Sequence, residues 1–286
     1  MTFSVRDIAT VTEILNEAAG AEILPRFRRL SAGAVREKTS AEDLVTDADV
    51  AAEKRITAAL TRAFPGALVL GEEAVSEYGE GLLDALADAS LAFVVDPVDG
   101  TRNFASGLTL FGVMTGVIVK GEIAAGVILD PIGKDWSIAL RGEGAWTETA
   151  EGAQLDLKVA KPKPVHEMSG FAAWWMLDEP LRSQLAANLA RTGSVSNYRC
   201  AAHEYRLLAG GHAHFSAFSK LMVWDHAAGW LLHQEAGGFS ARYDGSAYSP
   251  LHRSGGLLCT PDEDSWHALQ AALFAGTSYE GVRAVS

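Results

Sequence analysis

Leu91-Ala92-Phe93-Val94-Val95-Asp96-Pro97-Val98-Asp99-Gly100-Thr101-Arg102-Asn103-Phe104 is the stretch that decides the reading of this chain. Its apolar first half reads as a buried strand that ends on an acid. Pro97 fixes φ and directs the chain into a turn, so the Asp96 and Asp99 carboxylates can converge on one point. Gly100 and Thr101 then open a helix, whose free N–H groups and positive dipole end form a seat for a phosphate oxygen. Converging acids repel unless a cation joins them, so the segment reads as a metal and a phosphate held side by side. Each acid alone has an ordinary alternative, an N-cap in a turn.

Working outward, Ala67 to Leu70 is a second short apolar run, and it ends at Gly71-Glu72-Glu73. Two strands thus deliver acids at their C-terminal ends, where open α/β sheets place ligand chemistry. Alone, Glu72 and Glu73 would read as a solvated turn. Upstream, Ile56, Ala59, Leu60 and Phe64 mark one face of a helix that follows Asp49 and stops at Pro65-Gly66. Apolar residues at three- and four-residue intervals predict an opening amphipathic helix from Val5 to Leu30. Downstream, 111–119 and 122–129 predict a hairpin around Lys120-Gly121, with another strand pair at 136–140 and 145–147. Helices are expected at 178–191, 201–210, 225–236 and 262–275. Lys161-Pro162-Lys163-Pro164 suits either a surface loop or a boundary between two lobes.

The chain has 286 residues, 48% hydrophobic and 21% charged, the balance of a globular chain with a sizeable core. Its formal net charge of −12 disfavours phosphate backbones and anionic membranes, so nucleic acid is not expected as a primary partner. A phosphate-bearing substrate would need a local positive charge, and a divalent cation supplies one. Cys200 and Cys259 are too few for a disulfide framework or a Cys-based zinc site and read as reduced thiols. No signal peptide or apolar span is legible, which places the expected location in the cytoplasm.

Three strings join the opening one: Gly71-Glu72-Glu73, Trp224-Asp225-His226-Ala227-Ala228-Gly229, and Asp43-Leu44-Val45-Thr46-Asp47-Ala48-Asp49 with Lys38 before it. In order and spacing they resemble the signatures of the inositol monophosphatase family, Mg²⁺-dependent, lithium-sensitive phosphatases of small phosphate esters. The resemblance spans about residues 38 to 260. It implies one catalytic domain over 1–286, an αβαβα layered α/β sandwich whose lobes cover roughly 1–160 and 165–286. It implies two or three Mg²⁺ per site, with Glu72, Asp96 and the Val98 carbonyl on one metal and Asp96, Asp99 and Asp225 on a second. Glu72, Thr101 and Asp49 would then activate water, and Gly100 and Thr101 would bind the phosphate. A homodimer is also implied. Asp225 alone would read as a helix N-cap.

The pattern departs from the family around the leaving group. Arg199-Cys200-Ala201 stands where a small Gly-Ser/Thr-Ala turn is usual, and Phe218 stands where inositol phosphatases carry a glutamate. A phenylalanine accepts no hydrogen bond, so the preferred ester is expected to be another small phosphorylated metabolite: a sugar or polyol phosphate first, with histidinol phosphate and adenosine bisphosphates also open. Arg199 and Lys220 read equally as receptors for a second anion or as surface cations. His212 and His214 lack a third zinc ligand. Phe171, Trp174 and Trp175 fit core packing better than a dimer surface. A different class of function, a regulatory or binding protein with secondary catalysis, remains open because some bacterial relatives resemble partners of the transcription apparatus.

Overall fold

The computed structural model describes residues 3–31, 33–40 and 43–279, without the side chains of 39, 40 and 43. The Asp43 side chain of the early motif therefore lies outside the described residues. Ser4 starts α1 (Val5–Ala18) by reciprocal capping with Asp7. The helix expected to reach Leu30 ends earlier, continuing only as a π-turn over Ala19–Ile23. Pro25 lacks the N–H that would extend the ladder, and Arg28 adopts a left-handed φ of 58°.

A hairpin follows, β1 (Val35–Ser40) and β2 (Asp43–Thr46), and Thr46 caps α2 (Asp47–Ala63). Next, β3 (Leu68–Gly71) runs straight into α3 (Glu72–Tyr78), and β4 (Ala92–Asp99) into the single turn α4 (Thr101–Ala105). The meander β5 (Gly112–Val119), β6 (Glu122–Asp130), β7 (Asp135–Leu140), β8 (Gly144–Thr149) and β9 (Gln154–Asp156) completes one sheet. Its seven strands lie in chain order from β3 to β9, with β3 and β4 parallel and every other pair antiparallel.

The turn expected at Pro97 is a bulge instead. β4 stays paired with β5 through Asp99, and the register shifts between Asp96 and Asp99. A bulge is where a strand tolerates a residue with no N–H to give. The turn comes three residues after Pro97, at Gly100, with φ 84°.

After the unstructured Lys161-Pro164 stretch come β10 (Ser169–Ala172), α5 (Leu181–Asn188), β11 (Ser194–Ser196), α6 (Ala201–Ala209) and β12 (Phe215–Phe218). α7 (Val223–Glu235), β13 (Phe239–Arg242), β14 (Leu257–Thr260) and α8 (Glu263–Leu273) close the described chain. The helix expected over 178–191 is shorter, because Pro180 precedes α5 and Leu189–Arg191 tightens to a 3₁₀ turn. The second sheet has the order β11-β10-β12-β14-β13.

Alternating residues of β4 divide the core. Phe93 and Val95 pack under α1 and α2, while Ala92 and Val94 face α6 and α7 between the sheets. Phe215, Ala217 and Leu258 pack against α5 and α8 on the far side. The result is the αβαβα sandwich. No helix of the described residues is long and apolar enough to cross a membrane.

α7 lies close against the first sheet because the facing residues are small. A Cβ on Gly126 would sit 2.7 Å from the Ala228 backbone, and one on Gly116 would sit 2.5 Å from the Ala227 methyl. We expect Gly126→Ala to destabilise the fold by about 1–3 kcal/mol through overpacking. Urea denaturation checks this, and an unchanged midpoint would show that α7 is not held by this seam.

Candidate active site

The parallel pairing of β3 and β4 sets the site. Gly71 lies opposite Val95, so the next residues, Glu72 and Asp96, stand side by side at the same sheet end. α7 supplies Asp225 as its third residue; the cap position is Met222 and makes no side-chain bond, so the N-cap reading of Asp225 does not hold. One carboxylate oxygen from each of Glu72, Asp96 and Asp225 lies within 4.8 Å of the others, a group that could hold a metal ion. Glu72 and Asp225 are half-buried and Asp96 is buried.

Asp99 lines the same cleft but faces the second half of the chain. Its Oδ2 accepts the Ala202 N–H at 2.6 Å and the Cys200 thiol at 3.0 Å, tying β4 to the start of α6. Neither Asp96 nor Asp99 caps α4. Asp96 Oδ1 accepts the Val98 N–H at 3.0 Å, and the cap of α4 is Gly100, which lacks a side chain. A Cβ on Gly100 would lie 2.7 Å from the Leu110 carbonyl, so only glycine fits.

Thr101 Oγ1 sits 3.0 Å from Asp49 Oδ1 and 2.9 Å from the Val98 carbonyl. Its one proton can satisfy one acceptor at a time. Asp49 is fixed in turn by the Thr46 N–H at 3.0 Å and by the Thr46 hydroxyl. Across the site, Lys38 Nζ bridges Glu72 at 2.8 Å and Glu73 at 2.7 Å with its side chain 8% exposed. Burial opposes the Lys38 charge, but the two facing carboxylates outweigh it and raise its pKa.

The acids hold protons unusually well. Burial lifts Asp49 and Asp99 to about 6. Burial, reinforced by the charge of Glu72, raises Asp96 and Asp225 well above the usual carboxylate range and Glu73 to about 8. Carboxylates crowded enough to keep protons are groups that would exchange them for a cation, and an all-oxygen donor set suits a hard divalent ion. The residues present therefore fit such a metal.

The cleft above these acids has a volume of about 230 Å³, with Gly100 and Thr101 on one side and Trp175, Arg199, Phe218 and Lys220 on the other. Phe218 is buried and stacks on Tyr205 at 4.7 Å. Arg199 has a left-handed φ of 51°, and its guanidinium lies 5.6 Å over Trp175.

A model of the inositol monophosphatase family matches residues 5–278. The chain belongs to the inositol monophosphatase family. Among its relatives in that family, the Nus factor SuhB of Pseudomonas aeruginosa is 34% identical, over 80% of this chain and 83% of its own length. The inositol-1-monophosphatase of Caulobacter vibrioides is 33% identical, over 79% and 86%. The crystal structure of the extragenic suppressor protein suhB from Bartonella henselae superposes with a TM-score of 0.77 at 26% identity, covering 94% of this chain and 98% of that one.

Sequence reasoning missed three residues of the site. Trp174 packs in the outer core, but its neighbour Trp175 lines the cleft. Glu204 also lines it; burial pushes its carboxyl up to about 8, and it accepts the Tyr198 N–H and the Ser216 hydroxyl. Glu53 is buried behind Glu73. Of these, Glu53 had a signal, four residues beyond Asp49 on one helix face. Both cysteines are buried free thiols, and His214 bonds Ser169 rather than joining a metal group.

The raised acids have a sign. Unfolded, these groups titrate near 4, so between that value and about 6 for Asp99 or about 8 for Glu73 the native state binds more protons. Their contribution to stability is present at low pH and lost as pH rises through 6 and 8. Buried His226 and His233, lowered to about 4, oppose this only below about 6.5. In chelator, the melting temperature should be higher at pH 6.5 than at about 8.5, and saturating divalent cation should narrow the gap. A higher melting temperature at the alkaline pH would contradict the assignment.

Proposed function

We propose that this chain is a Mg²⁺-dependent phosphomonoesterase of a small phosphate ester, with both halves forming one catalytic unit. The supporting observation is the convergence of Glu72, Asp96 and Asp225 oxygens, within 4.8 Å of one another, beside the Gly100–Thr101 turn. Two or three Mg²⁺ would be held by Glu72, Asp96, Asp99, Asp225 and the Val98 carbonyl. When bound, they supply Lewis-acid polarisation of phosphoryl oxygens and lower the pKa of the attacking water.

The chain's own residues do the rest. Thr101 donates its hydroxyl proton to Asp49, 3.0 Å away, which leaves the Thr101 oxygen to accept a proton from water. Glu72 is a second acceptor, steadied by Lys38. The Gly100 and Thr101 N–H groups hold the phosphoryl oxygens as charge builds on them. Phe218, Arg199, Trp175 and Lys220 form the wall that meets the leaving group.

In this reading the partners are a small phosphorylated metabolite and a second copy of the chain in the cytoplasm. Nucleic acid stays outside it on the grounds of the net charge of −12. Purified protein should release phosphate from simple esters with Mg²⁺, stop with chelator and be inhibited by lithium. Asp96→Asn should lower kcat/KM by roughly 10²-fold or more. Activity that survives exhaustive chelation would remove the metal from the mechanism.

Phe218 supports a second expectation. Burying polyol hydroxyls against it leaves them unpaired at roughly 1–3 kcal/mol each, so inositol 1-phosphate should not be the best substrate. A panel of inositol, sugar, histidinol and adenosine 3′-phosphates tests this; a tenfold lead for inositol 1-phosphate would overturn it.

A regulatory or binding role is the second reading, favoured by the 34% identity to a protein named Nus factor SuhB. It predicts that Asp96→Asn abolishes phosphate release and leaves the cellular phenotype of the wild type intact. Loss of both in a complementation assay would reject it.

A further inference from the structure

α3 begins at Glu72, and its cap, Gly71, offers no side chain to the first free N–H groups of the helix. Those donors are met instead from α2. Glu53 Oε2 accepts the Glu73 N–H at 2.7 Å, and Glu53 Oε1 accepts the Ala74 N–H at 2.8 Å. Two bonds to one planar carboxylate fix both the position and the rotation of the first turn. Glu53 is 6% exposed, so water offers little competition.

The residue on the other side of Glu72 meets the same carboxylate. A Cβ on Gly71 would lie 2.1 Å from Glu53 Cδ. The two neighbours of Glu72 thus both rest on Glu53, which sets where the Glu72 side chain starts. Four residues earlier on α2, Asp49 is 0% exposed and accepts from Thr101. One helix face therefore carries both the partner of Thr101 and the brace of Glu72.

We propose that Glu53 is a positioning residue for the metal centre: through Glu73, Ala74 and Gly71 it aims Glu72 at Asp96 and Asp225, and α2 locks that aim to the Thr101–Asp49 pair. This rests on the metal reading of Glu72, Asp96 and Asp225 given above. An ordinary helix cap would lower stability without changing how the acids meet a cation. A brace changes cation affinity first.

The test is Mn²⁺ binding followed by electron paramagnetic resonance, with no substrate present, beside thermal melts of each variant. Glu53→Gln keeps the volume but turns an N–H₂ toward one of two donors, and should weaken Mn²⁺ binding by about tenfold or more while a cooperative melt remains. Gly71→Ala should do the same by displacing Glu53. In a Glu53→Ala background, Gly71→Ala should cost no further affinity, because its methyl enters the space that Glu53 vacated. Binding within twofold of wild type in a folded Glu53→Gln, or losses that add in the double variant, would overturn the proposal. Wild type that binds no Mn²⁺ would overturn the metal reading and this one with it.

Discussion

Like charges held close together govern this molecule. Two carboxylates at about 4 Å repel by roughly 4 kcal/mol at an effective dielectric of about 20, and Glu72, Asp96 and Asp225 bring oxygens within 4.8 Å of one another. The chain resists letting them separate. Glu72 and Asp96 stand side by side at the same sheet end, and α7 carries Asp225 on a helix pressed against the sheet through Gly116, Gly126, Ala227 and Ala228. Relief comes from protons, from Lys38 on the Glu72 side, or from a cation. A fold that keeps such a cost in its resting state is organised around what removes it.

The surrounding polar groups share the work unequally. Asp99 has an oxygen on Cys200 and Ala202, so it also serves as the stitch between the halves. Asp49 is held by Thr46 on one oxygen and meets Thr101 with the other. Glu53 stays behind the cluster and supports the backbone on both sides of Glu72. The carboxylates thus differ in what they touch, although the sequence writes them with the same letters.

What the sequence made legible was local. The strands before Glu72 and Asp96, the helices α2, α6, α7 and α8, and the order of the acidic strings all follow from apolar spacing and turn residues within a few positions. The bulge at Pro97 looks like a turn in the sequence because its cause is the pairing of β4 with β5, which lies outside the string. The sequence overstates the first helix because the periodic apolar residues run on past Pro25. Trp175 and Glu204 are not legible in the sequence because a cleft is made by distant segments, and neither residue differs from a core aromatic or a helix acid until the halves meet. Glu53 was visible as the fourth residue after Asp49, yet nothing in one sequence distinguishes a buried brace from a solvated face.

His226 follows Asp225 directly, and its two ring nitrogens face Lys220 and Tyr205. Nε2 lies 2.7 Å from the Lys220 carbonyl, which can only accept, so Nε2 carries the proton and Nδ1 accepts from the Tyr205 hydroxyl at 3.0 Å. Tyr205 in turn is the plate on which Phe218 stacks. The Phe218 wall of the cleft therefore hangs from the same turn of helix that delivers Asp225 to its floor. Replacing the buried His226 imidazole would therefore shift wall and floor together, whereas the exposed Arg199 can change without touching that link.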